Sequence, residues 1–160
     1  MLYNPTSLQD LENNAEYIVK GVFLDDSVTD LKIMDNGTIY YGATLTSLKT
    51  SEIYQGDIKP GDEITVAEPY YIIDNDIFHF GNYFPSDVGR EYIMFLGKNH
   101  GSDSSYDGTY FPDIYERGRY PVIEGRIDID ALTNAQLNLA KGDSEIYRSI
   151  YAEVIRKYMS

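Results

Sequence analysis

The chain has no cysteine among its 160 residues, which excludes disulfides, thiol catalysis and thiolate metal sites together. Long apolar runs are missing as well. The longest, Tyr70 to Ile73 and Tyr92 to Leu96, fall far short of the roughly 20 residues that a membrane-spanning helix needs. No basic start followed by an apolar core and a small-residue cleavage site can be read, so no secretory leader is expected within this chain. Basic residues are scarce: 13 Lys and Arg stand against 26 Asp and Glu, for a formal charge of −13. The deficit lies in the first part, with 19 acids and 6 bases up to Asp113 and 7 of each from Ile114 onward. A nucleic-acid binder must present clustered Lys and Arg to phosphates, so nucleic acid is not expected as a partner. Histidine is sparse too, and neither His79 nor His100 sits in a HExxH or similar spacing, so no metal site is expected. There is no GxSxG elbow, no cofactor motif, no internal repeat and no low-complexity linker. One domain over 1–160 without a cofactor is the expectation.

What is present reads as strands first and helix last. Ser7, followed by Leu8, Leu11 and Ala15 with Asp10 three residues on, predicts a short capped helix over 7–14. Glu16 to Leu24 is β-branched and aromatic, and Asp35-Asn36-Gly37 predicts a tight turn joining it, as a hairpin, to the next extended run. That run, Ile39 to Tyr54, is long, and Gly42 would let it bend as a barrel strand must. After turns at 55–57 and 59–62 comes Glu63 to Ile73, which Pro69 makes either an edge strand or two pieces. Glu91 to Leu96 is apolar enough for a buried central strand. Tyr120 to Ile123 and Arg126 to Ile129 are further short strand candidates, and Thr133 to Ala140 a short helix. From Ser144, apolar residues recur at helical spacing: Ile146, Ile150, Val154 and Tyr158 in one row, Tyr147, Tyr151, Ile155 and Met159 in the next. The polar face is nearly balanced in charge, which favours packing on the rest of the chain over a membrane surface.

In this order the pieces resemble exported bacterial domains related to the netrin and tissue-inhibitor-of-metalloproteinases type of OB-fold barrel. The likeness lies in 15–22 (AEYIVKGV), 51–64 (SEIYQGDIKPGDEI), 88–96 (VGREYIMFL) and 118–127 (GRYPVIEGRI), spanning roughly 15–130. It implies an OB-like barrel of five to six strands over 15–130, which together with the short N-terminal helix and the helical tail over 133–159 read above gives a mainly β fold with the tail packed on the barrel. It also implies an extracytoplasmic address, secreted or lipid-anchored after removal of a leader. The animal inhibitors bind a protease zinc through an N-terminal cysteine, which this chain lacks, so protease inhibition by that route does not carry over.

The candidate sites are few. Tyrosine is the compositional exception at 16 residues, and flat rings with hydroxyls suit a sugar or peptide groove as they suit barrel walls. Tyr70, Tyr71, Phe78, His79 and Tyr83 are the expected ligand-binding set, serving a noncatalytic envelope module whose partner is a peptide, a glycan or an envelope protein. In adjacent pairs such as Tyr40-Tyr41 and Tyr70-Tyr71 one ring is expected inward and one outward. A hydrolase using His79 with carboxylates, for instance Asp25 with Asp26, Asp74 with Asp76 or Asp128 with Asp130, is the alternative from another class, and a structural assembly module is a third. Asp103 to Gly108 matches the first half of a calcium loop, but Ile114 stands where its last, bidentate Glu belongs.

Overall fold

In the computed structural model, which describes residues 3–100, 106–125 and 128–159, the chain order is α1 (Leu8–Asn14), β1 (Tyr17–Phe23), β2 (Val28–Ile33), β3 (Ile39–Gln55), β4 (Glu63–Glu68), β5 (Tyr70–Ile73), β6 (Asp76–His79), β7 (Glu91–Lys98), β8 (Tyr110–Pro112), β9 (Arg119–Pro121) and α2 (Glu145–Tyr158). Strand β3 lies antiparallel between β1 and β4, β4 meets β8 in parallel, β8 pairs with β7, and β7 returns to β1. Those five strands close a barrel of the OB-like kind, while β2 flanks β3, and β9 adds to β7.

Strand β7 reads as apolar throughout because it is covered on both faces. Tyr92, Met94 and Leu96 point into the barrel with Val19, Phe23, Leu48 and Val66. Ile93 and Phe95 point out, into a second core shared with α1, α2, Ile18 and Tyr120. The helix α1 starts as the sequence predicts: the Ser7 hydroxyl accepts from the Asp10 N–H at 3.1 Å and the Asp10 carboxylate accepts from the Thr6 N–H at 3.0 Å. The two helices are tied as well, since Glu153 accepts from the Leu8 N–H at 3.0 Å.

Four expectations change. The turn at 34–38 joins β3 to β2, a strand the sequence reading passed over, and β1 pairs instead with the far half of β3. Thr133 to Ala140 holds only a single 3-10 turn, Ala135–Leu137, which ends at Asn138 in the left-handed region (φ 58°). Of the strand candidate at 126–129, residues 126 and 127 lie outside the described residues, and Ile129 opens a 3-10 turn. Helix α2 packs through parts of both expected rows, not a whole one: Tyr147, Ile150, Tyr151 and Val154 are buried, whereas Ile146 is 36% exposed. That buried set follows the i, i+3, i+4, i+7 spacing of a 3.6-residue period rather than a four-residue row.

A buried arginine fastens the loops to the barrel. Arg119 of β9 is fully enclosed; it donates to the carbonyls of Phe84 at 2.7 Å and Asn138 at 2.6 Å and to the Ser86 hydroxyl at 2.8 Å. Ser86 and Tyr83 in turn donate to the buried Glu68 carboxylate, at 2.7 and 2.6 Å. Six polar groups are thereby joined in one network across β4, β9 and two loops, with the buried Arg119 Nε left without a partner among the described residues. The two buried opposite charges depend on these hydrogen bonds if they are not to destabilise the fold.

Candidate functional site

The hairpin β5–β6 organises the surface where the sequence placed its candidates. Pro69 has no N–H to continue the β4 ladder, so the chain leaves the barrel there. It reverses through Asp74 (φ 50°) and Asn75 (φ 70°), the pair of left-handed residues that a two-residue hairpin turn of matching twist requires. The base is pinned twice, by Phe80 N–H to the Pro69 carbonyl at 3.0 Å and by the Thr44 hydroxyl to the Tyr70 carbonyl at 2.7 Å. Register pairs Tyr70 with His79, Tyr71 with Phe78 and Ile72 with Ile77.

Alternation therefore separates the predicted residues. Tyr71 and Phe78 lie on one face, stacked with ring centroids 5.2 Å apart. His79 lies on the other, against Phe84. Tyr70 and Tyr83 stack on each other at 6.4 Å but are buried. They support the hairpin from below and do not meet solvent. Burial pushes the Tyr70 phenol up to about 12, with the Glu68 charge adding to it. The inward-outward rule holds for Tyr70 and Tyr71 and fails for Tyr40 and Tyr41, both of which are exposed.

The first face extends well beyond the hairpin. Phe80 continues the row from Tyr71 at 6.4 Å and stacks with Tyr41 of β3 at 5.7 Å and with Tyr115 at 6.1 Å. Gly42 makes this possible, because a Cβ there would stand 2.5 Å from the Tyr71 ring. Tyr41 also meets Tyr106 edge-on at 5.7 Å. The row ends in a slot of about 200 Å³ lined by Tyr41, Ala67, Pro69, Asn99, Tyr106, Phe111, Pro112 and Tyr115: four rings, two prolines and no charged side chain. Burial raises the Tyr41 phenol, and the neighbouring Tyr115 phenol adds to the rise. Tyr41 is 41% exposed, Phe78 45% and Tyr115 43%, so the surface is open to a ligand.

Tyr41, Tyr106, Phe111 and Tyr115 were not in the expected set. Tyr41 could have been reached from Gly42 beside it. Tyr115 could not, because it is aimed by Ile114 and Tyr115 themselves adopting left-handed backbone (φ 46° and 55°), a conformation a β-branched residue almost never signals.

The second face is a groove of about 660 Å³ between His79, Phe84 and the 133–141 loop. Its His79 Nδ1 bonds the Gly81 carbonyl at 2.8 Å, and among the described residues no carboxylate hydrogen-bonds that ring. The acid pairs at 25–26, 74–76 and 128–130 lie at the exposed or half-exposed surface, where solvation suffices. Among the described residues no group of three His, Asp or Glu side chains is placed to hold a metal. Asp103, Ser104 and Ser105 of the calcium-loop match lie outside the described residues. Asp113 beyond them is buried and accepts from the Asn14 amide at 3.3 Å. No described helix is long and apolar enough to cross a membrane.

No protein-family model matches this chain, and no curated protein matches it in sequence. The barrel and its aromatic face therefore carry the functional argument.

Proposed function

We propose that the protein is a noncatalytic binding module that takes its ligand on the aromatic face running from Phe78 through Tyr71 and Phe80 to the slot at Tyr41 and Tyr115. One observation carries this reading: four stacked or tilted ring contacts in sequence, with centroids 5.2 to 6.4 Å apart, on residues that remain accessible. A contiguous apolar surface of this kind costs solubility unless something covers it, and rings offered in a row bind flat or extended ligands such as peptides and glycans. The OB-like barrel supports the same reading, since such barrels serve as scaffolds for ligands laid across a strand face. The likeness of 15–130 to exported bacterial domains supports a place for this binding in the cell envelope.

Thermal shift against soluble peptides, glycans and cell-wall fragments tests the proposal. A ligand at one hundred times its dissociation constant stabilises the fold by about 2.7 kcal/mol, and Tyr71→Ser together with Phe78→Ser should abolish the shift while the unliganded protein stays folded. A panel without response in any class, or a response unchanged in the double variant, would remove the aromatic face from consideration.

A further inference from the structure

We infer that the ligand of the aromatic face is an extended, proline-rich peptide in the polyproline II conformation, carrying basic residues at the end that lies over the tip of the β5–β6 hairpin. This rests on the reading of that face as the binding surface and adds the chemistry of what it binds.

Three observations point the same way. The slot is walled by four aromatic rings and two prolines and has no charged lining residue, in a chain with 26 acids. Uncharged aromatic grooves dock polyproline II segments because the ligand is already extended, loses little freedom on binding, and presents carbon-rich rings to the aromatics. Next, a polyproline II backbone makes no internal hydrogen bonds, so its carbonyls need donors from the partner. The Tyr41 and Tyr115 hydroxyls lie close enough to raise the Tyr41 phenol, and neither makes a hydrogen bond to any described residue, so both are free to donate. Last, alternation along the segment that includes β6 puts Asp76 on the same face as Phe78 and Phe80, with Asp74 beside it in the turn. Both acids are exposed, and neither takes part in an ion pair among the described residues. A basic end on the peptide complements them. A glycan fits less well, because sugar hydroxyls call for polar side chains at ring level. Besides the phenol hydroxyls the slot supplies only the Asn99 amide, whose NH₂ is already engaged with the Thr109 hydroxyl at 3.0 Å.

The test is titration of the full chain, by calorimetry, with an N-acetylated peptide of about ten prolines bearing two arginines at one end or the other. A version with glutamates in their place and a chitin-derived oligosaccharide serve as comparisons. An arginine peptide should bind, and the glutamate version should bind at least about tenfold more weakly. Tyr41→Ala and Tyr115→Ala should each weaken binding by about tenfold or more, with Tyr41→Phe and Tyr115→Phe intermediate because they keep the ring and lose the donor. Asp76→Asn should weaken it a few-fold and flatten its salt dependence, while Asp57→Asn, on a remote turn, should not. If the oligosaccharide binds in a Tyr41-dependent manner and the proline peptides do not, the ligand class inferred here is wrong and the aromatic face stands. If nothing binds, or binding survives both Tyr41→Ala and Tyr115→Ala, the inference and the reading beneath it fall together.

Discussion

The guanidinium carbon of Arg119 sits 3.8 Å from the centroid of the Tyr83 ring, the ring whose hydroxyl donates to Glu68. The cation is thus held by a π face on one side and linked to its counter-charge through Tyr83 and Ser86 on the other. Removing it by Arg119→Met leaves the Phe84 carbonyl without its donor and the buried Glu68 charge without its counter-charge, while the Asn138 carbonyl keeps only the Phe84 N–H at 3.1 Å. The expected loss is about 3 to 5 kcal/mol in urea denaturation. Arg119→Lys should recover only part, because a single ammonium cannot reach three acceptors in a fixed fork. The double variant Arg119→Met with Glu68→Gln should cost less than the two single losses added, since the second change removes the charge that the first left stranded.

Asp113 predicts a pH effect of the opposite kind to most acids. Burial, with the Glu16 charge adding and the Asn14 hydrogen bond subtracting, pushes its carboxyl from 3.8 up to about 6. Between those two values the folded chain holds a proton that the unfolded chain has released. Stability therefore falls as pH rises through this window, and the full penalty is present above it. A rise of that size corresponds to about 3 kcal/mol. Asp113→Asn keeps an acceptor for Asn14 and removes the ionisation, so it should stabilise the protein at pH 7 by up to that amount and make no difference near pH 3.5. Urea denaturation of both proteins at the two pH values is the measurement. An equal difference at both would show that Asp113 is ionised or neutral throughout.

Helix α2 separates two readings of one sequence pattern. Ile150 is fully buried and Ile146 is at the surface, although both stand in the same four-residue row. Ile150→Ala should cost roughly 2 to 5 kcal/mol, as a buried large-to-small change does, and Ile146→Ala within about 0.5 kcal/mol, as a surface change does. Comparable losses at both positions would place the whole Ile146–Ile150–Val154 row against the barrel.

That contrast also marks how far the sequence could be read. The caps of α1, the break at Pro69, the buried run of β7 and the extent of α2 each follow from local chemistry, and each stands where it was expected. Strand β2 was missed because Val28 to Ile33 has little burial to imprint a pattern, its exposed residues including Val28 and Ile33. Arg119 was missed because a single arginine in a sequence reads as surface charge. Its role exists only once β4, β9 and two loops converge on it. On the aromatic face, Tyr71 and Phe78 were legible from composition, but His79 lies on the other side of the hairpin and Tyr70 and Tyr83 belong beneath the surface. The slot depends on Tyr41, Tyr106, Phe111 and Tyr115, brought together from β3, β8 and the loops around β8.

The packing of Gly42 under Tyr71 gives the most direct test of how the aromatic face is built. A Cβ at position 42 would meet the first ring atoms of Tyr71 at 2.5 to 2.9 Å, closer than side chains approach one another. The backbone there is an ordinary strand, so alanine is free of φ strain and would by itself gain up to about 1 kcal/mol over glycine. Overpacking costs about 1 to 3 kcal/mol, and Tyr71, being only half-buried, can swing outward to relieve it. Gly42→Ala should therefore leave the protein folded, destabilised by no more than about 2 kcal/mol, with the Tyr71–Phe78 stack broken and ligand binding lost. The decisive comparison is in the Tyr71→Ala background, where the obstacle is gone: Gly42→Ala should there be neutral or stabilising. Urea denaturation of the four proteins reads the coupling, which should exceed about 1 kcal/mol for residues in contact. Additive effects would mean that Tyr71 does not rest on Gly42, and that the row of rings is not set by the barrel strand beneath it.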